Sequence, residues 1–367
     1  MKILHIISGD LWAGAEVQVA TLLKELVRRH DVFAVVLNAG RLESELNSVG
    51  VKVTVLPESS RSFLHLLRGI KGIIKQINPD VVHTHRQKEN ILGGLACALS
   101  TKIVCVKTVH GSSEFSLNWK QRFQRFVDEC IGRCLQKGII SVSQTLAAEL
   151  ALIYGKDKIH TISNGIDVDE VVKDSQQKVE QRLSDRIHIC LIGRMVQVKR
   201  VDLFLLAAKL LLEDKRYRQV VDFHVFGDGP MLEKYKEEAV SYEIQKFVTF
   251  HGHCSDIRSR LQTMDIVVMT SDHEGLPMTA LEALALGKPL VAHAVGGLVP
   301  LLTSAFPQGL VEQHSAKGYF EALSNMLDRL ESLHSPTLPQ EFYASHNAEQ
   351  VELLYLKLST ELVGKFE

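Results

Sequence analysis

The sequence predicts an α/β fold of two successive units, each a parallel sheet flanked by helices. Short apolar, β-branched segments alternate with amphipathic segments of helical period along the chain, which is the pattern of βαβ units. The chain has 367 residues, too many for one ordinary core and suitable for two domains. We expect a ligand in the cleft between two such units.

The first unit is predicted to cover residues 1–168. Helices such as Glu16–Arg29 and Ser62–Ile77 separate its apolar segments, which are bounded by turn-forming residues. Its predicted strands are Ile3–Ile7, Val32–Leu37, Val51–Val55, Val81–His83, Ile103–Val109 and Gly138–Ser141.

The second unit is predicted to cover residues 185–345. Before it, Asn164-Gly165-Ile166-Asp167 contains the turn pair Asn-Gly, and a polar stretch runs on to Arg186. We interpret this stretch as a linker. A last helix is predicted over roughly Ala348–Val363. The predicted strands of the second unit are Ile187–Ile192, Val220–Phe226, Val248–Phe250, Ile266–Met269, Pro289–Ala292 and Gly309–Val311.

Composition narrows the class of protein. The formal net charge of −1 provides no field that would favour nucleic acid as a partner. No apolar run reaches the length of about 18 residues that would span a membrane. The segment Met1–Ser8 is too short for a signal peptide and is interpreted as the first buried strand. The six cysteines are scattered, which favours reduced thiols and a cytoplasmic location.

Two acids, Glu274 and Glu282, are the most informative residues of the chain. Pro277 suits the first turn of a helix between them, and Gly287 suits its end. The N-terminus of a helix presents free N–H groups to an anion, so acids before and inside the helix suggest hydroxyl recognition around a phosphate. This combination describes a sugar nucleotide. The alternative is two solvated surface acids.

The segment around these acids resembles the nucleotide-sugar signature of family 4 retaining glycosyltransferases, and the resemblance extends over nearly the whole chain. It implies the GT-B fold, in which two Rossmann-like domains face a central cleft. It implies that Glu274 and the backbone of Gly275 and Leu276 bind the donor sugar and that Glu282 binds the ribose. It also implies front-face attack without a protein nucleophile, and a C-terminal helix, residues 346–367, packed back on the first domain.

Arg194 and Lys199 stand five residues apart on the loop after the predicted strand Ile187–Ile192. Two cations so placed can converge on one diphosphate, and fixed cations stabilise the charge that a leaving diphosphate gains. The loop matches the Gly-Arg-x4-Lys motif of the family, except that Arg200 stands where the family commonly has glycine. The alternative is a solvated basic loop.

Gly14 and Glu16 follow the first strand and open the first helix. Gly14 would let the backbone approach a phosphate or sugar of the donor. The family usually has Gly-Gly-x-Glu here, and Ala13 replaces the first glycine. The alternative is a simple helix cap. Gly296-Gly297 resembles the family's loop near the donor phosphates, although the acid that often follows is missing.

Histidines lie at the ends of two predicted strands, where open α/β sheets place ligands. They are His83 and His85 at one strand end and His110 at the next. The resemblance implies that His110 contacts the donor sugar and that the other two lie near the cleft. Packed histidines without a chemical role are the alternative.

We expect no metal and no cofactor other than the nucleoside-diphosphate sugar as donor substrate. The pairs around His251 and Cys130 lack a second pair at zinc-site spacing, and Arg194 with Lys199 would make a metal on the diphosphate unnecessary. The Gly-x-Gly-x-x-Gly fingerprint is absent, which excludes an oxidoreductase of the NAD type.

Two basic amphipathic segments, Arg61–Ile77 and Lys120–Lys137, belong to the first unit. They could rest on an anionic membrane that carries a lipid-linked acceptor. The alternative is ordinary amphipathic helices packed on a sheet with solvated cations outside.

The sequence thus predicts a retaining, metal-independent hexosyltransferase of the GT-B fold that uses a glycan or lipid-linked acceptor. Synthesis of cell-envelope polysaccharide or lipopolysaccharide, at the inner face of the cell membrane, is the expected setting. One rival is a GT-B epimerase or hydrolase, which would turn over without an acceptor. The other is a non-catalytic sugar-nucleotide-binding protein, which would not need the intact set Arg194, Lys199, Glu274 and Glu282.

Overall fold

The structure is a computed structural model, and it describes residues 1–9, 12–99, 103–111, 119–177 and 185–363. The chain divides into two compact units. Unit 1 comprises Met1–Ile166 with Glu341–Glu367, and unit 2 comprises Asp167–Gln340. Each unit holds one parallel sheet with helices packed on it, so the predicted fold class of two parallel-sheet α/β units is confirmed.

The sheet of unit 1 has seven strands in the described residues, in the order β3-β2-β1-β4-β5-β6-β7. Helices cover both faces of such a sheet, so its inner strands are mostly apolar, and five of the six residues of β1 are buried. All six predicted strands are present. The seventh strand, β7, was not predicted, because its three residues are too few to show a pattern of apolar residues. The strands are β1 (Lys2–Ile7), β2 (Asp31–Val36), β3 (Lys52–Val55), β4 (Val81–Thr84), β5 (Val104–Val109), β6 (Gly138–Ser141) and β7 (Ile159–Thr161).

The helices of the first part of unit 1 connect consecutive strands. The third of them buries Leu66, Ile70 and Ile74 and leaves its cations outside, as the packing interpretation of this amphipathic segment expects. The helices are α1 (Gly14–Leu26), α2 (Arg41–Ser48), α3 (Phe63–Ile77), α4 (Gln87–Ala98), α5 (Trp119–Cys134) and α6 (Gln144–Tyr154).

The sheet of unit 2 has the strand order β10-β9-β8-β11-β12-β13. Each of its six strands contains or overlaps a predicted apolar segment. The strands are β8 (Ile187–Ile192), β9 (Val221–Phe226), β10 (Val248–Gly252), β11 (Ile266–Met269), β12 (Leu290–His293) and β13 (Leu310–Val311).

The helices of unit 2 begin in the stretch that the sequence predicts to be a linker. That stretch contains a ten-residue helix, α7, which packs on α11 and α12 and buries Val171 and Ser175; residues 178–184 lie outside the described residues. The helices are α7 (Val168–Gln177), α8 (Val201–Glu213), α9 (Lys215–Arg218), α10 (Leu232–Ser241), α11 (Ile257–Thr263), α12 (Met278–Ala285), α13 (Leu298–Ala305) and α14 (Ala316–Leu327).

The last helix, α15 (Ala344–Val363), belongs to unit 1. Its buried residues Ala348, Val351 and Tyr355 share a core cluster with residues of α1 and of the sheet. No helix in the described ranges combines the length and the apolar character needed to cross a membrane.

The two sheets share one topological feature that positions the candidate sites. In each sheet the strand order reverses next to the first strand of the unit, between β1 and β4 and between β8 and β11. Chain segments leaving the carboxyl ends of these paired strands run to opposite faces of the sheet, which opens a crevice between them.

Candidate functional site

Two segments meet at the reversal point of unit 2. Lys199 ends a 3-10 turn after β8, and Glu274 lies on the loop after β11. The Lys199 Nζ donates to Glu274 Oε1 at 2.6 Å, and the two side chains are 17% and 8% exposed. Two residues that the sequence predicts as donor-binding, 75 positions apart, therefore form one sheltered ion pair.

Hydrogen bonds fix both sides of this pair. Ser271 Oγ donates to the same Oε1 of Glu274 at 2.6 Å. Thr270 Oγ1 donates to the carbonyl oxygen of Lys199 at 2.9 Å, and the Asp272 amide donates to the Val198 carbonyl at 2.8 Å. Within the described ranges these bonds engage one carboxylate oxygen and one of the three ammonium protons, so Oε2 and two N–H groups can still bond a ligand.

The predicted Gly296-Gly297 loop packs directly on the loop of Glu274. Gly296 has φ +55°, and a Cβ added there would lie 1.7 Å from the carbonyl oxygen of Glu274. The Gly297 amide donates to the Gly275 carbonyl oxygen at 2.6 Å. Any side chain at Gly296 would push the two loops apart, so glycine here serves the position of Glu274.

Glu282 lies inside α12 and is 7% exposed. Arg258 Nε donates to its Oε1 at 2.9 Å, and Arg258 Nη1 donates to Asp174 on α7 at 2.7 Å. Burial raises the pKa of Glu282 above its ordinary value, and Arg258 offsets part of that shift. The prediction for Pro277 is off by one position, because it is the extended N-cap and α12 begins at Met278.

Arg194 and Arg200 flank Lys199 on its loop. The side chain of Arg194 is exposed, whereas that of Lys199 passes Gly193, where an added Cβ would lie 3.7 Å from Lys199 Cδ. Arg200 has φ +48°, the left-handed conformation that favours glycine, which explains why the family commonly has glycine here. The side chain of Arg200 forms ion pairs with Asp202 at 2.9 Å and with Asp272 at 3.1 Å.

A second cation–acid pair lies at the reversal point of unit 1. Glu16, on α1 after β1, is fully buried and forms an ion pair with Arg86, which follows β4. Gly14 is the exposed first residue of α1, and Ala13 is its N-cap. The pair lies at the same topological position as Lys199 and Glu274 in unit 2, with the cation and the acid exchanged between the two strands.

Histidines surround the same point of unit 1. His83 is fully buried and hydrogen-bonded at both ring nitrogens. Its Nε2 lies 2.8 Å from Thr108 Oγ1, and its Nδ1 lies 2.5 Å from the hydroxyl oxygen of Tyr355. His85 contacts His110 through ring nitrogens 3.3 Å apart. Burial is the main cause that lowers the pKa of all three, for His110 to about 4, so all are neutral at physiological pH.

One group of histidines in the described residues could be considered as metal ligands. His5, His83 and His85 bring ring nitrogens within 4.8 Å of one another. Both nitrogens of His83 and of His85 already take part in hydrogen bonds, which an ion would have to displace. Independence from metal stays a prediction.

Sequence reasoning missed the partners of the predicted acids, namely Arg86, Arg258 and Ser271. A buried carboxylate needs a cation or several donors, so a partner was to be expected in principle. Its identity follows from strand order and helix packing, which no local motif around Arg258 or Arg86 signals.

Both halves of the chain match family models of glycosyltransferases. Residues 12–170 match Glycosyltransferase Family 4, and residues 172–336 match Glycosyl transferases group 1. A relative in Escherichia coli, a UDP-Gal:alpha-D-GlcNAc-diphosphoundecaprenol alpha-1,3-galactosyltransferase, is 25% identical over 345 residues, 89% of this chain and 88% of that protein. The capsular polysaccharide biosynthesis glycosyltransferase CapM of Staphylococcus aureus is 23% identical and covers 72% of each chain.

Solved structures show the same fold. The crystal structure of HepE of Anabaena in complex with UDP matches with a TM-score of 0.74 and 17% identity, covering 100% of this chain and 99% of that one.

The Arg258–Glu282 pair yields a stability prediction. Arg258→Met leaves Glu282 buried without its cation, and we expect unfolding at neutral pH to become easier by about 3–5 kcal/mol. Burial holds the pKa of Glu282 in the folded state above its value in the unfolded state, so the folded state takes up the proton first as the pH falls. The loss of unfolding free energy caused by Arg258→Met should therefore become smaller as the pH falls through the folded-state pKa. Denaturant unfolding at several pH values measures this.

The matched control is Arg260→Met, on the same helix, whose contact with Asp256 is a longer pair at 3.6 Å. This substitution should lower the free energy of unfolding by about 1 kcal/mol or less at every pH. A deficit for Arg258→Met that does not change with pH would contradict the assigned cause.

Proposed function

Since the chain belongs to the family 4 glycosyltransferases of the GT-B fold, we propose that it moves a hexosyl residue from a nucleoside-diphosphate sugar to a hydroxyl group of a glycan or lipid-linked acceptor, with retention at the anomeric carbon. The observation that carries this proposal is the sheltered Lys199–Glu274 pair at the reversal point of unit 2, next to the N-terminus of α12. A cation, an acid and free helix N–H groups suit a phosphate flanked by hydroxyl groups.

Each donor-binding role follows from the position and charge of its residue at this site. Lys199, with two N–H groups left, and Arg194, with an exposed side chain, bind the diphosphate oxygens. Glu274 Oε2 accepts from a sugar hydroxyl, beside the backbone of Gly275 and Leu276. Glu282 accepts from the ribose hydroxyls, its charge maintained by Arg258.

The chemistry assigned to these residues is electrostatic. As the bond between the anomeric carbon and the phosphate oxygen breaks, negative charge grows on the departing diphosphate, and Lys199 with Arg194 stabilises it. The departing phosphate oxygen takes the proton of the attacking acceptor hydroxyl on the same face. No protein nucleophile and no metal take part in this proposal.

The relatives support the proposed acceptor class and setting. The name of the E. coli relative specifies a diphosphoundecaprenol acceptor, and that of the staphylococcal relative specifies capsular polysaccharide biosynthesis. We therefore assign this chain to cell-envelope polysaccharide synthesis, including lipopolysaccharide, at the cytoplasmic face of the membrane. Unit 1, with Gly14, Glu16 and His110, is proposed to receive the acceptor and to contact the donor sugar.

The first two turns of α5 fit contact with an anionic membrane. Trp119, Phe123 and Phe126 recur at helical spacing and are 75%, 63% and 61% exposed. Lys120 and Arg122 are exposed on the same turns. Aromatic rings beside cations are suited to the headgroup region of an anionic bilayer, where a lipid-linked acceptor is located.

Nucleotide binding tests the donor site. Lys199→Ala should weaken binding of the one diphosphate among UDP, GDP and ADP that the wild type prefers, by about 10-fold to 100-fold, since a charge-assisted bond is lost. Isothermal titration calorimetry measures it. Lys234→Ala, which removes an exposed cation of unit 2 outside the site, should leave binding unchanged. Equal affinity in Lys199→Ala and wild type would remove Lys199 from the site.

Liposome flotation tests the membrane contact. The wild type should float with vesicles containing anionic lipid and remain behind with neutral vesicles. Replacing Trp119, Phe123 and Phe126 together by Ser should abolish flotation, whereas Leu152→Ser, at a side chain 89% exposed on α6, should retain it. Absence of wild-type binding to either vesicle would refute the contact.

A further inference from the structure

Two stacked histidines of unit 2 lie beside the loop that carries Glu274. His293 is the last residue of β12, and His314 follows β13. Their ring centroids are 3.7 Å apart, and the ring planes differ by 10°. β12 and β13 follow β11 in the strand order, so both rings lie at the carboxyl edge of the sheet, next to the strand that precedes Glu274. The proposed donor site assigns a role to neither residue.

His293 is hydrogen-bonded to the backbone just before Glu274. Its Nδ1 lies 2.9 Å from the carbonyl oxygen of Ser271. A carbonyl oxygen only accepts, so Nδ1 carries a hydrogen and donates it. Burial lowers the pKa of His293, so the ring is neutral near neutral pH and its Nε2 carries no hydrogen. The hydroxyl group of the same Ser271 donates to Glu274 Oε1 at 2.6 Å, so one residue connects the imidazole ring to the acid.

The segment that begins at His293 contacts the loop of Glu274 a second time. The Gly297 amide donates to the carbonyl oxygen of Gly275 at 2.6 Å. His293 thus fixes the loop three residues before Glu274, and Gly297 fixes it one residue after. A carboxylate whose backbone is held on both sides loses less conformational freedom when a ligand binds.

His314 is hydrogen-bonded to a side chain of the same loop. Its Nε2 lies 2.9 Å from Asp272 Oδ1, and a carboxylate only accepts, so Nε2 donates. Its Nδ1 lies 2.9 Å from the hydroxyl oxygen of Tyr319, a fully buried residue of α14. Arg200 Nη1 donates to the same Oδ1 of Asp272 at 3.1 Å. Asp272 is therefore held between a histidine anchored in the core and the cation that follows Lys199.

We propose that His293 and His314 are positioning residues for donor binding, which hold residues 271–275 so that Glu274 meets a sugar hydroxyl in one fixed orientation. The identity of the ligand rests on the proposed function, whereas the bonds to Ser271 and Asp272 exist without it. Two apolar side chains could fill the same space, but they would provide no directional bond to either residue. The hydrogen-bonding atoms, and not the volume of the rings, should therefore decide the binding of the sugar.

Nitrogen-15 NMR of the histidine-labelled full-length protein near neutral pH tests the first bond without any ligand, since protonated and bare ring nitrogens differ in shift. His293→Asn identifies the His293 signals by their loss. The expected result is a protonated Nδ1 and a bare Nε2 in His293. A protonated Nε2 with a bare Nδ1 would overturn the proposal, because the ring could not then donate to the Ser271 carbonyl.

Calorimetric titration tests the positioning role. The probes are the preferred diphosphate among UDP, GDP and ADP and its conjugates with glucose, galactose and N-acetylglucosamine. His293→Leu and His314→Leu should each weaken binding of the preferred conjugate by about 5-fold to 10-fold, the loss of one hydrogen bond, and leave binding of the diphosphate unchanged. His293→Asn keeps an N–H at the position of Nδ1, and His314→Gln keeps one at the position of Nε2, so both should restore most of the affinity.

The matched control is His188→Leu, which removes another buried, ring-stacked histidine of unit 2. It lies at the amino end of β8, away from the donor loops, and should leave both affinities unchanged. Thermal unfolding checks that each variant folds. Wild-type affinity for the conjugate in His293→Leu, or a loss that His293→Asn does not restore, would overturn the proposal. If no conjugate binds the wild type, the proposed function fails separately, and the NMR result still decides the bond to Ser271.

Discussion

The reversal of strand order beside the first strand of each sheet is the constraint on which the rest of this structure depends. It brings together segments that are far apart in sequence, β1 with β4 and β8 with β11, and it leaves a crevice at their carboxyl ends. In both units a cation and an acid occupy this position, as Arg86 with Glu16 and as Lys199 with Glu274. In unit 2 this placement puts the pair next to a helix N-terminus, so one topological rule accounts for the proposed diphosphate and sugar contacts together.

Ion pairing also explains how charged side chains can be buried in this protein. Desolvation of a carboxylate or ammonium group costs several kcal/mol, and a partner in good geometry offsets most of it. Arg258 does this for Glu282, and Asp128 does it for Lys107, a fully buried lysine whose pKa burial lowers while Asp128 opposes the shift. The proposed donor site is therefore preorganised, since Lys199 and Glu274 are already held in one fixed pair.

The strands were predictable because strands buried on both faces must be continuously apolar, and a three-residue strand such as β7 is too short to show this. Motif spacing identified Lys199, Glu274 and the glycine loop at Gly296, which the structure brings into contact. Helix α7 was missed because its polar face, with Glu170 and Asp174, is turned to Arg258 instead of to solvent alone. Partners such as Arg86 could not be predicted from the sequence, because strand order decides which loops meet.

In the proposed donor site, Glu274 binds the sugar of the donor and Lys199 binds its diphosphate. The most direct measurement is calorimetric comparison of Glu274→Gln with the wild type, using the preferred nucleoside diphosphate and the corresponding nucleotide sugar. Glutamine preserves shape and removes the charge. We expect the nucleoside diphosphate to bind Glu274→Gln as tightly as the wild type or more tightly. We expect the nucleotide sugar to bind more weakly by about 10-fold or more, because a charge-assisted hydrogen bond is lost. An equal loss of affinity for both ligands would contradict it, because Glu274 would then act through Lys199 alone.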